Sequence, residues 1–389
     1  MSSVEAFLNA QANASPDMAP HYQTMRDLYE RRLWHQLTMK LEEVVALPAF
    51  QTGDHLIQLY HNFIVDFEHK ISPLKLGHLA VAVSSRYADR DAAAAFMENI
   101  VEKLVQGKQP GCEEPILYLR MHVALLRVHE GKAIEARDYI TLEGKAALDA
   151  LPSPDPSVSA AYYYVLSQYH KSKQDFAEFY RAGMLYLAYV SSESLPAPTR
   201  LDLAVDLGLA ALLGEDLYNF AELIAHPIRA ALDGSAFAWL ADILGAFNDG
   251  DLHAYDDLCV KHADALNAQP ALVANERKLR EKITILCLLQ IVFQLPAEKR
   301  EISLEDIAAR TKLSVDGVEY LLMKALSVRL IEGVIDQVEG KVNVTWVQPR
   351  VLLKPQIAEL SGRLEGWIGK VKAVSDALQE EIPQLATMA

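Results

Sequence analysis

The chain has 389 residues, 51% hydrophobic and 23% charged, with 18 glycines and 17 prolines; this exceeds one small core, points to two domains and argues against a low-complexity chain. With 37 Lys and Arg against 52 Asp and Glu, the formal charge of -15 works against a partner held through phosphates, because that attraction is the main sequence-independent term in nucleic-acid binding. Cys112, Cys259 and Cys287 are odd in number and lack CxxC spacing, which argues against a disulfide frame or structural zinc site and fits buried thiols in a reducing compartment.

The opening "MSSVEAFLNA" has neither a basic segment nor a long apolar one, and the strongest apolar run, "ITILCLLQIVF" at 283 to 293, is about half the length that crosses a bilayer. No export or membrane insertion is expected. From the N-terminus to about residue 295, apolar residues recur at helical spacing in blocks of about 12 to 20, with no sustained alternation. Breaks at 47 to 54, 108 to 115, 151 to 157, 194 to 199 and 249 to 251 carry Pro or Gly, which end helices through a missing amide or a permissive backbone. Within this stretch "EGKAIEARDYI", "SKQDFAEFYRA", "GEDLYNFAELI" and "DGDLHAYDDLC" each set a polar turn before an apolar residue that opens a helix. Taking Ile134, Phe176, Leu217 and Leu252 as equivalent gives offsets of 42, 41 and 35. That spacing suits stacked helical hairpins of the tetratricopeptide kind, in which no hairpin buries its apolar faces alone; an irregular helical bundle is the alternative.

The long helix "NERKLREKITILCLLQIVFQL" at 275 to 295 ends at Pro296. Beyond it, "SLEDIAART" offers Ser303 as a helix cap with Asp306 three residues on, and a second helix starts near Ser314 or Asp316 with Val318, Leu321, Leu322, Ala325 and Leu326 on one side. The pair predicts a helix-turn-helix. In "IEGVIDQVEGKVNVTWV", Val342, Val344 and Trp346 alternate with Lys341, Asn343 and Thr345 around a turn at Glu339 and Gly340, which predicts a hairpin wing. Past Pro355, the positions Ile357, Leu360, Leu364, Trp367, Val371, Val374 and Leu378 fall at alternating steps of 3 and 4, a heptad seam. Burying seven such side chains is worth at most roughly 10 to 20 kcal/mol, while a lone helix of this length is marginal in water. Gly362, Gly366 and Gly369 each cost about 1 kcal/mol relative to Ala, so helix propensity does not hold it. The seam is expected to join an intermolecular bundle, with packing back on the chain's own solenoid as the alternative.

The expected fold is therefore mostly α. A helical-repeat solenoid at 1–274 precedes a winged-helix domain at 275–352 with a small β hairpin, and a C-terminal bundle helix and tail follow at 353–389.

Chemistry is not evident. The sequence contains no GxxxxGK[ST], GxGxxG after a strand, GxSxG or HExxH, and neither His55, His61 and His69 nor His122 and His129 have accompanying carboxylates at ligand spacing. Glu113 and Glu114 are adjacent and point apart on a helix, a poor acid/base pair. The tyrosines of "AYYYVLSQYH" at 161 to 170 cannot form one flat stacking face, and the basic pair in "YERRLWHQL" at 29 to 37 is ringed by acids. No catalytic residue, cofactor or metal is assigned. Between 301 and 350 stand eight acidic residues against six basic, with Asp316 and Glu319 where a DNA-reading helix would meet bases and phosphates, so this wing suits protein. Val342, Val344 and Trp346 are taken as an exposed edge open to strand addition; closure of the domain's own small sheet fits the same alternation.

Solenoid, winged helix and long C-terminal helix, in that order, resemble the PCI-domain proteins, scaffold subunits of the proteasome lid, the signalosome and a translation initiation factor. "RLWHQLT" at 32 to 38, "LIQLYHNFIVDFEHKI" at 56 to 71, "GLAALLGEDLYNFAELIAHP" at 208 to 227, "QPALVANERKLREKI" at 269 to 283 and "VEYLLMKALSVRLIEGVIDQVEGKVNVTWVQPRVL" at 318 to 352 are similar to a lid member of that family. Residues 75 to 200 share only helical pattern with it, and the chain after Glu381 shares nothing. The resemblance implies a non-catalytic scaffold of the lid, required for assembly and so for ATP-dependent degradation of ubiquitinated proteins. It implies wing strands side by side with those of other lid PCI subunits, gathered C-terminal helices, a place near the deubiquitinase and ubiquitin-receptor modules, no nucleic-acid or membrane partner, and action in cytoplasm and nucleus. A signalosome or initiation-factor scaffold is the nearest alternative, and a winged-helix DNA-binding regulator a distant one.

Overall fold

The computed structural model describes residues 3–14, 18–50, 53–107, 111–295, 300–349 and 354–381. They form two compact units, Met1–Ser194 and Leu195–Ala389, divided within the proline-bearing break at 194 to 199.

The first unit is helical throughout its described residues. It runs α1 (Ser3–Ala14), α2 (Ala19–Glu30), α3 (Trp34–Ala46), α4 (His55–Leu59), a π-turn at Tyr60–Ile64, α5 (Val65–Phe67), a 3-10 turn at Glu68–Lys70, α6 (Pro73–Ser84), α7 (Arg90–Gly107) and α8 (Glu113–His129). It continues through α9 (Ala133–Asp138), a second π-turn at Tyr139–Glu143, α10 (Gly144–Ala150), α11 (Pro156–Ser172) and α12 (Phe176–Tyr189). The starts follow local chemistry. Asp155 accepts from the Ser157 amide and Asp175 from the Glu178 amide, while Pro73 and Pro156 occupy first turns where no amide is needed. Helix α8 shows why the layers stack. Its Leu119 and Val123, one turn apart, join a core built from α1 to α7, while Leu117, Met121, Ala124 and Val128 on another face join a second core with α11. A helix buried on two faces ties one layer to the next, as a solenoid requires.

The second unit contains α13 (Ala197–Leu213), α14 (Ala221–Ala225), a 3-10 turn at Pro227–Ala231, α15 (Ala238–Asp249), α16 (Leu252–Lys261), α17 (Ala263–Asn267), α18 (Pro270–Ala274) and α19 (Glu276–Gln294). Then come β1 (Glu301–Ser303), α20 (Leu304–Thr311), α21 (Val315–Ser327), β2 (Ile331–Asp336), β3 (Lys341–Val347) and α22 (Lys354–Glu381). Helix α19 is the hub: it packs on α13, α15, α16 and α18, and also on α20 and β3. That position buries eleven of its side chains, including the whole run from Lys282 to Leu289. Of the four positions taken as equivalent in the repeat, Phe176 and Leu252 open helices and Ile134 is the second residue of α9, whereas Leu217 is buried in an extended stretch before α14.

Both predicted caps of the helix-turn-helix are present: Ser303 Oγ accepts from the Asp306 amide at 3.1 Å and Ser314 Oγ from the Gly317 amide at 3.3 Å. The sheet is antiparallel with order β1-β3-β2. Ile302 pairs with Val342, and Ile335 pairs with Val342 from the other side. The fold is thus mostly helical, with an N-terminal repeat region, a small three-stranded sheet in a winged helix and a C-terminal helix.

Candidate functional site

Helix α22 carries the seam. Every described side chain from Ile357 to Leu378 is exposed. The seven seam residues Ile357, Leu360, Leu364, Trp367, Val371, Val374 and Leu378 are each between 46% and 65% accessible. Ile368, also exposed, widens the apolar stripe beside Trp367. An added Cβ at Gly362, Gly366 or Gly369 would meet nothing within 4 Å, so among the described residues no close approach demands those glycines. The intrahelical pair of Arg363 with Glu359, at 2.6 Å, is exposed and worth only about 0.3–0.5 kcal/mol. The 28-residue helix thus carries a continuous apolar stripe that no other described residue of the chain covers.

The wing differs from the expected edge. Strand β3 is the middle strand, and Val342 and Val344 are buried against α19; of the three residues taken as an edge only Trp346, at 40%, is accessible. The cause is β1, whose three residues close the sheet on the side that the sequence left open: the Val344 amide donates to the Arg300 carbonyl at 3.0 Å and the Leu304 amide to the Gly340 carbonyl at 2.8 Å. Because Val342 and Val344 turn their backbones to β1, Lys341 and Asn343 turn theirs to β2, pairing Asp336 and Val334. Alternation then points the backbones of Gly333 and Ile335 outward. The outer edge of the hairpin is therefore β2, and its pairing with β3 shifts register between Glu332 and Gly333, where Thr345 of β3 is the extra residue.

The helix-turn-helix presents an acidic and apolar outer face. On α21, Val318, Leu321, Leu322 and Ala325 are buried, while Asp316, Tyr320 and Met323 are exposed. Gln337 Nε2, in the hairpin turn, donates to Glu319 Oε2 at 3.1 Å and so holds the turn beside that face.

Groups that could carry chemistry are occupied elsewhere. Lys282, missed in the sequence although it abuts the apolar run at 283 to 293, lies buried with Nζ donating to the carbonyls of Ala211 at 2.7 Å, Leu212 at 3.2 Å and Gly214 at 2.7 Å. Burial pushes its ammonium down to about 7, and Asp216 opposes that shift. In its ammonium form all three protons go to the carbonyls at the end of α13, where the helix dipole is negative, so it clamps that helix end. A cavity of about 260 Å³ beside it also holds Lys278 and Lys324, but these pair with Glu215 at 2.7 Å and Glu281 at 3.2 Å.

His78, Ser157 and Asp155 also lie in line, His78 Nε2 being 3.1 Å from Ser157 Oγ, which donates to Asp155 Oδ1 at 2.6 Å. Because the serine proton goes to the carboxylate, His78 meets Ser157 Oγ as a hydrogen-bond donor and not as a base, unlike a triad in which the imidazole takes the hydroxyl proton. Burial lowers the His78 pKa against the pull of Asp155 and Glu42, and pushes His122, next to Tyr118, down to about 4. Among the described residues no group of three His, Cys, Asp or Glu is placed to hold a metal, and no helix is long and apolar enough to cross a membrane. The tyrosines of the 161 to 170 segment diverge: Tyr162 is buried, Tyr163 stacks on Tyr189 at 5.7 Å, and Tyr164 leans on Tyr186 at 5.3 Å.

Two family models match the chain, PSD13 N-terminal repeats over residues 21–244 and the PCI domain over residues 259–346. Among curated proteins, 26S proteasome non-ATPase regulatory subunit 13 homolog A of Arabidopsis thaliana is 51% identical over 97% of this chain and 98% of its own length. The Dictyostelium discoideum subunit 13 is 37% identical over 95% of each chain, and 26S proteasome regulatory subunit RPN9 of Saccharomyces cerevisiae is 32% identical over 94% of each. Likeness of this extent runs through solenoid, winged helix and terminal helix together, and the chain belongs to the family of 26S proteasome non-ATPase regulatory subunit 13, a PCI-domain family.

Proposed function

We propose that this chain is a non-catalytic scaffold subunit of the lid of the 26S proteasome regulatory particle, and that it acts by assembly. Its α22 seam enters a bundle with the terminal helices of other PCI subunits of the lid, and the β2 edge at Gly333 and Ile335, in place of Val342 and Val344, receives a neighbouring wing. The solenoid presents surface toward the deubiquitinase and ubiquitin-receptor modules, and the assembled particle works on ubiquitinated proteins in cytoplasm and nucleus. In functional terms the chain divides into a solenoid at 1–274, a PCI winged helix at 275–352 and a bundle helix with its tail at 353–389. Full-length likeness to subunit 13 favours the lid over a signalosome or an initiation-factor complex. The observation that carries the reading is the uncovered seam of α22, seven apolar side chains at heptad spacing with no cover from the described residues of their own chain.

Trp367→Asp is the test. Trp367 is 65% accessible, so a carboxylate there disturbs nothing in the free chain and its helical circular dichroism stays unchanged. In the bundle the same charge must be buried or the helix expelled, at a cost of several kcal/mol. The variant is expected to be absent from affinity-purified regulatory particles, with accumulation of ubiquitin conjugates in cells that depend on it. Incorporation at the wild-type level would sink the reading.

A further inference from the structure

A third surface, apart from α22 and from Gly333 and Ile335 on the β2 edge, lies on the outer face of α21 and the hairpin turn, reaching Asp336 at the end of β2. In helical projection Asp316, Glu319, Tyr320 and Met323 fall within about 100° of one another, opposite the buried Val318 and Ala325. The hydrogen bond from Gln337 to Glu319 brings the hairpin turn to that face. Three apolar side chains stand out from it, Tyr320 at 65%, Met323 at 55% and, at the tip of the turn, Val338 at 98% accessible. Around them are the carboxylates of Asp316, Glu319 and Asp336. Asp336 accepts from the Val338 and Glu339 amides, and none of the three has a cation partner among the described residues. Lysines on the same elements pair elsewhere, Lys324 of α21 with Glu281 at 3.2 Å and Lys341 of β3 with Glu301 at 2.8 Å.

A winged helix that reads DNA turns this same side to the duplex and needs cations there. Here the sign is reversed, and phosphates are repelled. A second copy of the face is repelled as well, since its rim is equally acidic. We propose that this face docks a basic amphipathic segment of another protein, one that sets two or three apolar side chains against Tyr320, Met323 and Val338 and flanks them with Lys or Arg facing Asp316, Glu319 and Asp336. The apolar contacts supply affinity and the carboxylates supply partner choice and encounter rate. This docking does not depend on the lid assignment, because it is argued from charge and exposure within the second unit.

The test uses the full chain with the photo-crosslinker p-benzoylphenylalanine at position 320. Three probes are compared: an amphipathic helical peptide of leucine and lysine, its leucine and glutamate counterpart, and a duplex DNA oligomer. A crosslinker at this site reports only what sits on α21, so peptide adhering to the exposed α22 is not counted. The lysine peptide is expected to be captured at least about tenfold more than the glutamate peptide, and the duplex not at all. Combining Asp316→Lys with Glu319→Gln is expected to lower that capture by about tenfold; Asp316 is exposed, the half-buried position 319 keeps as Gln an oxygen for the Gln337 bond, and unchanged circular dichroism verifies the fold. Capture of both peptides alike, capture of duplex, no capture, or capture indifferent to the two substitutions would each overturn the proposal. Trp367→Asp leaves this readout untouched, so failure here and failure of the assembly reading are distinguishable.

Discussion

Among the described residues, four other than glycine sit in the left-handed region at the ends of helices or in the turns that follow them: Arg32 at φ 55°, Gln174 at 58°, Lys312 at 56° and Arg329 at 57°. At three of them the next amide reaches back five residues, Leu33 to Leu28, Asp175 to His170 and Leu330 to Ala325, which closes the helix and satisfies a carbonyl. Gly131 and Gly250 do the same work at φ 79° and 65°, with Lys132 reaching Arg127 and Asp251 reaching Ala246. Of these two, only Gly250 is also required by space, for a Cβ there would lie 2.7 Å from the Leu286 carbonyl oxygen. Gln174 is the clean test of the conformational cost, since its side chain is exposed and Lys312, by contrast, pairs with Asp256. A left-handed residue with a Cβ costs about 1–2 kcal/mol, and glycine gives back about 0.4–1 through the entropy of the unfolded chain. Gln174→Gly is therefore expected to stabilise the first unit by about 0.5 to 1 kcal/mol, read as a higher urea midpoint. A lower midpoint would show that the turn is not strained.

At the scale of elements, the bulge in the wing makes a sharper demand. A Cβ at Gly333 would sit 2.3 Å from the Asn343 carbonyl oxygen and 3.1 Å from Val344 Cα, both backbone atoms that cannot rotate away. Gly333→Ala is expected to destabilise the winged helix by about 2–4 kcal/mol, seen as faster hydrogen exchange at β2 and β3 with the first unit unchanged. Wild-type protection at those amides would mean that the sheet has a second register. The hairpin itself was legible, because its alternation and its glycine turn are local signals. Strand β1 was not: three residues, "EIS", cannot carry a period of two, and they become a strand only when the hairpin returns to them. Missing β1 moved the free edge from β2 to β3. Val344→Pro would remove the bond to the Arg300 carbonyl inside the sheet and so report on the domain's own closure, not on a neighbour. The apolar stripe of helix α22, in contrast, was legible, because a heptad sets out its face without any tertiary partner.

Across the whole molecule, the order of solenoid, winged helix and terminal helix was readable from periodicity, whereas the compact division at 194/195 was not. The break at 194 to 199 is one of five of the same kind, and helix α19, which packs on the helices before it and on the winged helix after it, keeps everything from Leu195 onward in one unit. What the periodicity also conceals is acid sensitivity. His78 on α6 and His122 and Tyr118 on α8 stack ring to ring, Tyr118 lying 4.8 Å from His78 and 4.6 Å from His122. Burial holds both imidazoles below 6.5. Charge adds to this at His122 through His78, and at His78 the raising effects of Asp155 and Glu42 do not overcome it. The unfolded chain then binds protons that the folded one refuses, so their contribution is whole above pH 6.5 and is lost as pH falls toward about 4. Asp155, held low chiefly by the Ser157 hydroxyl, acts in a separate window below 3.8. For His122 the loss amounts to at most about 3 kcal/mol, since each tenfold difference in proton affinity between the folded and unfolded chain is worth about 1.36 kcal/mol. The first unit should therefore show a lower urea midpoint at pH 4.5 than at pH 7.5, followed through hydrogen exchange at α6 and α8. In His122→Leu most of that difference should disappear, because leucine fills much of the same space without a proton to take up; an undiminished difference in the variant would place the acid-sensitive group elsewhere.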